Sequence, residues 1–183
     1  MVDLISRSAV DGDDQIAVVT TYQGSLSLRI LANGFLEIAT IALKNGGSID
    51  ATTPAVIHAI RHAVELFLKH VISELQENHH MAPKDLNKHN MLEMFNESKD
   101  EIAIALECED IHSGFDRRAW LSDFEQIITK LHEVDPYGSA LRYPTNLKGQ
   151  PNLGGTMQVS LNQLTKFAAH TYECFAKFNM RDA

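Results

Sequence analysis

The stretch HAIRHAVELFLKH, His58–His70, decides the fold because it has the periodicity of an amphipathic helix. On a helical wheel with about 100° per residue, the apolar side chains fall into one broad sector. They are Ile57, Ile60, Val64, Phe67, Leu68, Val71 and Leu75. The other side carries a polar line formed by His58, His62, Glu65, Lys69 and Ser73. We therefore predict a helix that buries its apolar face against other helices.

The polar line leaves three interpretations open. Glu65 and Lys69 stand one turn apart in the favourable order, which is typical of a solvated face with a salt bridge. His58 and His62 have the spacing of metal ligands, but Arg61 and Lys69 beside them would repel a divalent cation. A histidine and a carboxylate, with His62 and Glu65 as the catalytic candidates, can act on a bound ligand as acid and base. The spacing does not decide among these, and we predict no metal and no cofactor.

Helical patterning on both sides of this stretch predicts an all-α, up-and-down bundle of four to five helices. The predicted helices run from about Ser25 to Lys44, from Pro54 with Thr53 as N-cap to Gln76, over Leu86–Phe95 with a continuation after a kink, from Arg117 to Asp135, and over Val159–Phe178. A short strand is predicted at Gln15–Tyr22. We treat 1–183 as one domain, with its helical core at about 25–178 and an N-terminal extension at 1–24.

The composition favours a soluble globular domain. The chain has 183 residues, 44% of them hydrophobic, and no run of eighteen uninterrupted apolar residues. A net charge of −8 argues against broad, non-specific DNA binding, which depends on many basic contacts to phosphate. Cys108 and Cys174 fit no zinc or redox spacing and are predicted to be small buried hydrophobes. These features, with no signal peptide in the first residues, predict a cytoplasmic protein that does not enter a membrane.

The segment between 137 and 156 is long for a plain connection and is rich in Gly, Pro and Asn. In it, Arg142 can hold a phosphate and Tyr143 can stack on a base, with Lys148 nearby. The alternative is a turn in which Arg142 bonds to helix carbonyls and Tyr143 is packed. If there is a ligand site, we expect it where this segment meets the polar line.

Three segments resemble the HEPN superfamily of helical nucleotide-binding domains. They are RHAVELFLKHVI (61–72), KHNMLEMF (88–95), with Asn90 where the family has Asp, and DPYGSALRYP (135–144). They follow in the family's order and span roughly residues 52–178. The resemblance implies a helical bundle, often dimeric, that binds RNA or a nucleotide. It also implies a toxin–antitoxin or phage-defence context and, in some members, a nucleotidyltransferase partner.

The nuclease motif of that superfamily, an Arg followed four to six residues later by His, is missing. Downstream of Arg61, the nearest histidines are His62 and His70. We therefore predict a non-catalytic homodimer that binds RNA, a nucleotide or a protein. The ligand-binding candidates are His58, His62, Glu65, Lys69, Arg142, Tyr143 and Lys148. Two alternatives are a divergent, metal-independent ribonuclease with a spatially assembled Arg/His pair, and a metal-binding bundle that uses His58 and His62.

Overall fold

The computed structural model describes residues 25–45, 49–78, 81–108, 115–143, 145–146, 148–152 and 156–179. Five helices form within them: α1 (Ser25–Asn45), α2 (Ile49–Glu77), α3 (Met91–Cys108), α4 (Arg117–Val134) and α5 (Leu161–Asn179). These ranges contain no strand, and the prediction of an all-α helical bundle is confirmed. The strand predicted at Gln15–Tyr22 lies outside the described residues.

Helix α2 is the central element of the bundle and packs against α1, α3 and α5. All seven members of its predicted apolar sector are buried. Ala63 and Ile72, which lie outside that sector, are also fully buried. Burying a Leu, Ile or Phe side chain contributes about 1.5–3 kcal/mol, so α2 supplies much of the free energy that holds the fold together.

Local capping signals predicted most helix ends well. Helix α1 ends at Asn45, one residue after the predicted end at Lys44. Helix α4 begins after Asp116, whose carboxylate accepts a hydrogen bond from the Ala119 N–H at 3.0 Å. Asp135 closes the same helix by donating its N–H to the Leu131 carbonyl at 2.9 Å.

Two helix boundaries differ from the prediction. Helix α2 begins at Ile49, so Thr53 is not its N-cap and Pro54 lies inside the helix. Proline is tolerated there because its missing N–H removes a single bond close to the start of a long helix. Helix α3 begins at Met91 and continues without the predicted break to Cys108.

Aromatic residues of α4 and α5 are buried where these two helices pack together. Trp120 is buried and donates its indole N–H to the Cys174 carbonyl at 2.9 Å. Cys174 is itself buried, as predicted, and burial raises the pKa of its thiol to about 12. This thiol is therefore a packing group and not a nucleophile at neutral pH.

Candidate functional site

An ionic cluster around the buried Glu65, formed by Arg61, Glu65, Lys69 and His89, lies on α2 and on the segment just before α3. The Glu65 Oε2 atom accepts a hydrogen bond from Arg61 Nη1 at 2.9 Å. Its Oε1 atom accepts from Lys69 Nζ at 2.9 Å and lies 2.9 Å from His89 Nδ1. Only 4% of the Glu65 side chain is exposed. The interpretation of Glu65 and Lys69 as a solvated face is therefore wrong.

Arg61 connects three parts of the fold. Its Nε atom donates to the Asp135 carbonyl at 2.8 Å, and Nη2 donates to the carbonyls of His89 at 2.7 Å and Pro136 at 3.2 Å. Together with the bond to Glu65, these contacts join α2 to His89 and to the segment after α4. We call that last segment, Asp135–Tyr143, the Asp135 loop.

The Asp135 side chain organises the loop that carries its name. It is buried, and its Oδ1 accepts from the backbone N–H groups of Ser139 at 3.0 Å and Ala140 at 3.1 Å. The Oδ2 atom accepts from the Leu141 N–H at 3.4 Å. An aspartate that satisfies several backbone donors is typical of a tight turn. The carboxylate fixes the loop, and Arg61 fixes the loop to α2.

His89 is positioned by the start of α3. Asn90 caps this helix, because its Oδ1 accepts from the Glu93 N–H at 3.2 Å. The preceding residue, His89, turns its Nδ1 towards Glu65, while 69% of its side chain remains exposed. This imidazole therefore has one nitrogen on a buried carboxylate and its other edge accessible to solvent.

The charge state of Glu65 fixes the proton on His89. Burial alone would raise the pKa of Glu65, but the hydrogen bonds from Lys69, His89 and Arg61 lower it below its ordinary value. The carboxylate is thus ionised at neutral pH and can only accept hydrogen bonds. It follows that the tautomer with the proton on His89 Nδ1 is the one that can bond to Glu65, and in that tautomer Nε2 presents a lone pair.

A second group of side chains, the histidine face, consists of His58, His62, Arg142 and Tyr143. Burial is the main cause that lowers the pKa of both His58 and His62. The Arg142 charge is a further cause that lowers both pKa values, so its guanidinium lies within electrostatic range of the two rings. The imidazole centroids of His58 and His62 lie 6.1 Å apart in a stacked arrangement. The Asp135 loop thus brings Arg142 to the polar line of α2, where we expected a site.

The two loop candidates of the histidine face are accessible to a ligand. Arg142 is exposed, and its Nε donates to the Gly138 carbonyl at 2.6 Å. Its guanidinium carbon lies 5.4 Å from the centroid of the Tyr143 ring. The Tyr143 side chain is not packed, since 55% of it is exposed. Of the alternative turn, the packed tyrosine is wrong, whereas Arg142 does bond to a backbone carbonyl, that of Gly138 in the loop.

The remaining sequence candidate, Lys148, lies apart from this arrangement. It is exposed in the turn closed by the bridge between Thr145 and Pro151, and its N–H donates to Asn146 Oδ1 at 2.8 Å. No contact among the described residues connects Lys148 to the histidine face. Within those residues, moreover, no group of three or more His, Cys, Asp or Glu side chains is arranged to hold a metal ion.

Three residues of the ionic cluster and its loop were not among the predicted site residues: Arg61, His89 and Asp135. Arg61 stands beside the polar sector on the wheel, so its pattern resembles that of a surface residue. Asp135 carried a usable signal, because Asp-Pro followed by Gly138 is typical of a turn organised by an aspartate. No local sequence pattern indicated that His89 contacts Glu65, since the two residues lie 24 positions apart.

No protein-family model, curated protein or solved structure matches this chain.

Proposed function

We propose that this protein binds single-stranded RNA through the histidine face. The observation that carries the proposal is the position of Arg142 and Tyr143. Both are exposed, and the charge of Arg142 acts on two histidines of α2. An arginine beside an exposed aromatic ring matches the two chemical features of an unpaired nucleotide, its phosphate and its base.

Two further features support a ligand at this surface. The His58 Nδ1 atom is buried and has no hydrogen-bond partner among the described residues, which leaves a polar atom for a ligand group or a water to satisfy. In addition, the net charge of −8 means that phosphate binding has to come from a local arrangement of cations. The exposed Arg142 supplies a positive charge of this kind at the histidine face.

The HEPN resemblance supports the same proposal. Its three segments meet in space, since they supply Arg61 and Glu65, then His89, and then the Asp135 loop. The resemblance implies binding of RNA or a nucleotide in a prokaryotic stress-response, toxin–antitoxin or phage-defence system. We extend the proposal to that biological context.

Replacing Arg142 by alanine is expected to weaken RNA binding about tenfold, because one charge-assisted contact to phosphate is lost. The measurement is fluorescence anisotropy with a labelled single-stranded RNA of about ten nucleotides. The melting temperature should change by no more than about 3 °C, since the exposed side chain loses one hydrogen bond to Gly138. Binding should also tighten as the pH falls below 6.5, the ordinary histidine pKa, because the pKa values of His58 and His62 are lowered and both rings gain positive charge only in that range.

Arg118→Ala is the matched control. It removes the same charge from an exposed site at the start of α4, whereas the Asp135 loop follows the end of that helix. The 18 residues of α4 separate the two sites by roughly 25 Å. Equal losses of affinity in the two variants would show that RNA responds only to net charge. A large drop in the melting temperature of Arg142→Ala would instead make Arg142 a structural residue.

The pair formed by His89 and Glu65 favours a second candidate function, cleavage of RNA without a metal. The free Nε2 of His89 can accept the proton of a ribose 2′-hydroxyl. The 2′-oxygen then attacks the adjacent phosphorus, and the 5′-oxygen leaves with a proton from a protonated histidine or from water. The products are a 2′,3′-cyclic phosphate and a 5′-hydroxyl. In this scheme Glu65 holds His89 in place and does not touch the RNA.

This second candidate predicts degradation of total RNA in the presence of a chelator. His89→Gln should slow the degradation at least about a hundredfold, because it removes the general base while retaining a side chain that can donate to Glu65. His170→Gln, on α5, is the control for handling and contamination. Degradation by wild-type protein that neither substitution changes, or no degradation at all, would leave RNA binding as the function.

A further inference from the structure

One surface of α1 is exposed and apolar, and it lies outside the proposed RNA site. This α1 outer face consists of Leu26, Ile30, Leu31, Gly34, Ile38 and Ile41. The exposed fractions of its five large side chains lie between 39% and 62%. Among the described residues outside α1, Ile104 is the one exposed Leu or Ile. The exposed aliphatic surface is thus concentrated on a single helix.

The size of this face approaches that of a protein interface. The five side chains present roughly 500 Å² of apolar surface, near the upper end of what soluble monomers expose. A standard interface buries about 800 Å² on each partner, so the face and its polar edge would supply most of one side.

Gly34 lies at the centre of the α1 outer face and has no packing neighbour among the described residues. A Cβ atom built on Gly34 meets none of them within 4 Å. Glycine weakens a helix interior relative to alanine, and a glycine kept there usually has a packing reason. Since that reason is not within the described part of the chain, the glycine points to a backbone that approaches from outside.

We propose that the α1 outer face binds a second copy of this chain, with the two α1 helices antiparallel and crossing at Gly34. A two-fold axis at Gly34 brings Ile30 of one copy against Ile38 of the other, because each stands four residues from the centre. The same axis sets Leu31 level with Glu37 of the other copy, which places a charged group at the edge of the interface. The absence of a side chain at the crossing lets the two helices approach closely.

A lipid bilayer is the competing occupant. By length and composition, Leu26–Asn45 is apolar enough to cross a membrane, a test that core helices of soluble proteins and signal sequences also pass. Yet the opposite side of α1 buries Ala32, Leu36 and Ala39 in the core that α1 shares with α2. Crossing a membrane would expose those residues to lipid and break that packing. The net charge of −8 also opposes adsorption to an anionic membrane surface.

Sedimentation equilibrium of the full-length protein tests the proposal. Wild-type protein should approach twice the 20.4 kDa mass of one chain as its concentration rises. Ile38→Glu and Gly34→Leu should each raise the dissociation constant of the dimer at least about thirtyfold. Gly34→Leu is the sharper variant, because leucine favours the helix and its Cβ meets nothing within 4 Å among the described residues. It should therefore weaken the dimer without lowering the stability of the single chain.

Ile104→Glu is the matched control, since Ile104 on α3 is equally exposed, at 61%, but lies outside the α1 outer face. A wild-type mass of one chain up to about 100 μM overturns the proposal, because an interface of this size should form well below that concentration. Equal weakening by Ile104→Glu also overturns it. Binding of a monomer to neutral lipid vesicles, lost in Ile38→Glu, would assign the face to a membrane instead.

Discussion

Replacing Arg61 by methionine is expected to lower the free energy of unfolding by about 3–5 kcal/mol. Methionine retains much of the length of the side chain but leaves the buried Glu65 carboxylate without its guanidinium partner. It also removes the donors that satisfy the carbonyls of Asp135, Pro136 and His89. A domain of this size has about 5–15 kcal/mol in total, so the loss is a large fraction of its stability. Urea unfolding followed by the fluorescence of Trp120, the single tryptophan, measures it.

Two further variants decide whether the loss comes from the ionic cluster. Lys99→Met breaks the ion pair with Glu125, in which both side chains are 37% exposed, and should cost no more than about 1 kcal/mol. Glu65→Leu should also cost about 3–5 kcal/mol, because it leaves the buried Arg61 guanidinium and the Lys69 ammonium without their carboxylate partner. If Arg61→Met costs no more than Lys99→Met, the guanidinium does not hold the fold together.

The helices could be predicted from the sequence because their signals are local. The apolar sector around Phe67 repeats with the helical period, and the fold buries it as that pattern predicts. Lysine followed by glycine predicts the end of α1, and Asp135 that of α4, within a residue or two. The largest error, at the start of α2, arises because a proline can sit one turn inside a helix as well as at its first position.

The candidate site could be predicted only in part, because its burial depends on contacts that are distant in sequence. A helical wheel predicts that Glu65 and Lys69 face away from the apolar sector, but it does not show what covers that side. In the structure, His89 and the Asp135 loop cover it and convert an expected surface salt bridge into a buried one. Arg61 takes part because the carbonyls that it binds come from residues 28 to 75 positions away. No periodicity within α2 carries that information.

The proximity of Arg142 to the two histidines could be predicted in outline, because the loop and the polar line of α2 had both been identified as candidate ligand-binding regions. The physical cause of this proximity could not be predicted. Arg142 lies within electrostatic range of His58 and His62, and its loop is held there because Gly138 lets the loop approach the Arg61 guanidinium. The position of the proposed RNA contact thus depends on a glycine that sequence reasoning did not single out.

Gly138→Ala is therefore expected to lower the free energy of unfolding by about 2–4 kcal/mol and to weaken RNA binding as well. Gly138 has a φ of 73°, a conformation that costs an L-residue about 1 kcal/mol or more. A Cβ at this position would also lie 2.4 Å from Arg61 Nη1 and 2.8 Å from its Cζ. Since Arg61 is buried and tied by four hydrogen bonds, it cannot move away without breaking some of them.

Gly149→Ala separates the two contributions. Gly149 has nearly the same φ, 74°, but a Cβ there meets nothing within 4 Å, so this variant carries the conformational cost alone, about 1 kcal/mol. The difference between the two alanine variants measures the collision with Arg61. Adding Arg61→Met to Gly138→Ala should remove that difference, so the double variant should lose less than the sum of the single losses. If Gly138→Ala and Gly149→Ala cost the same, the loop has room to move and does not fix Arg142 against the histidine face.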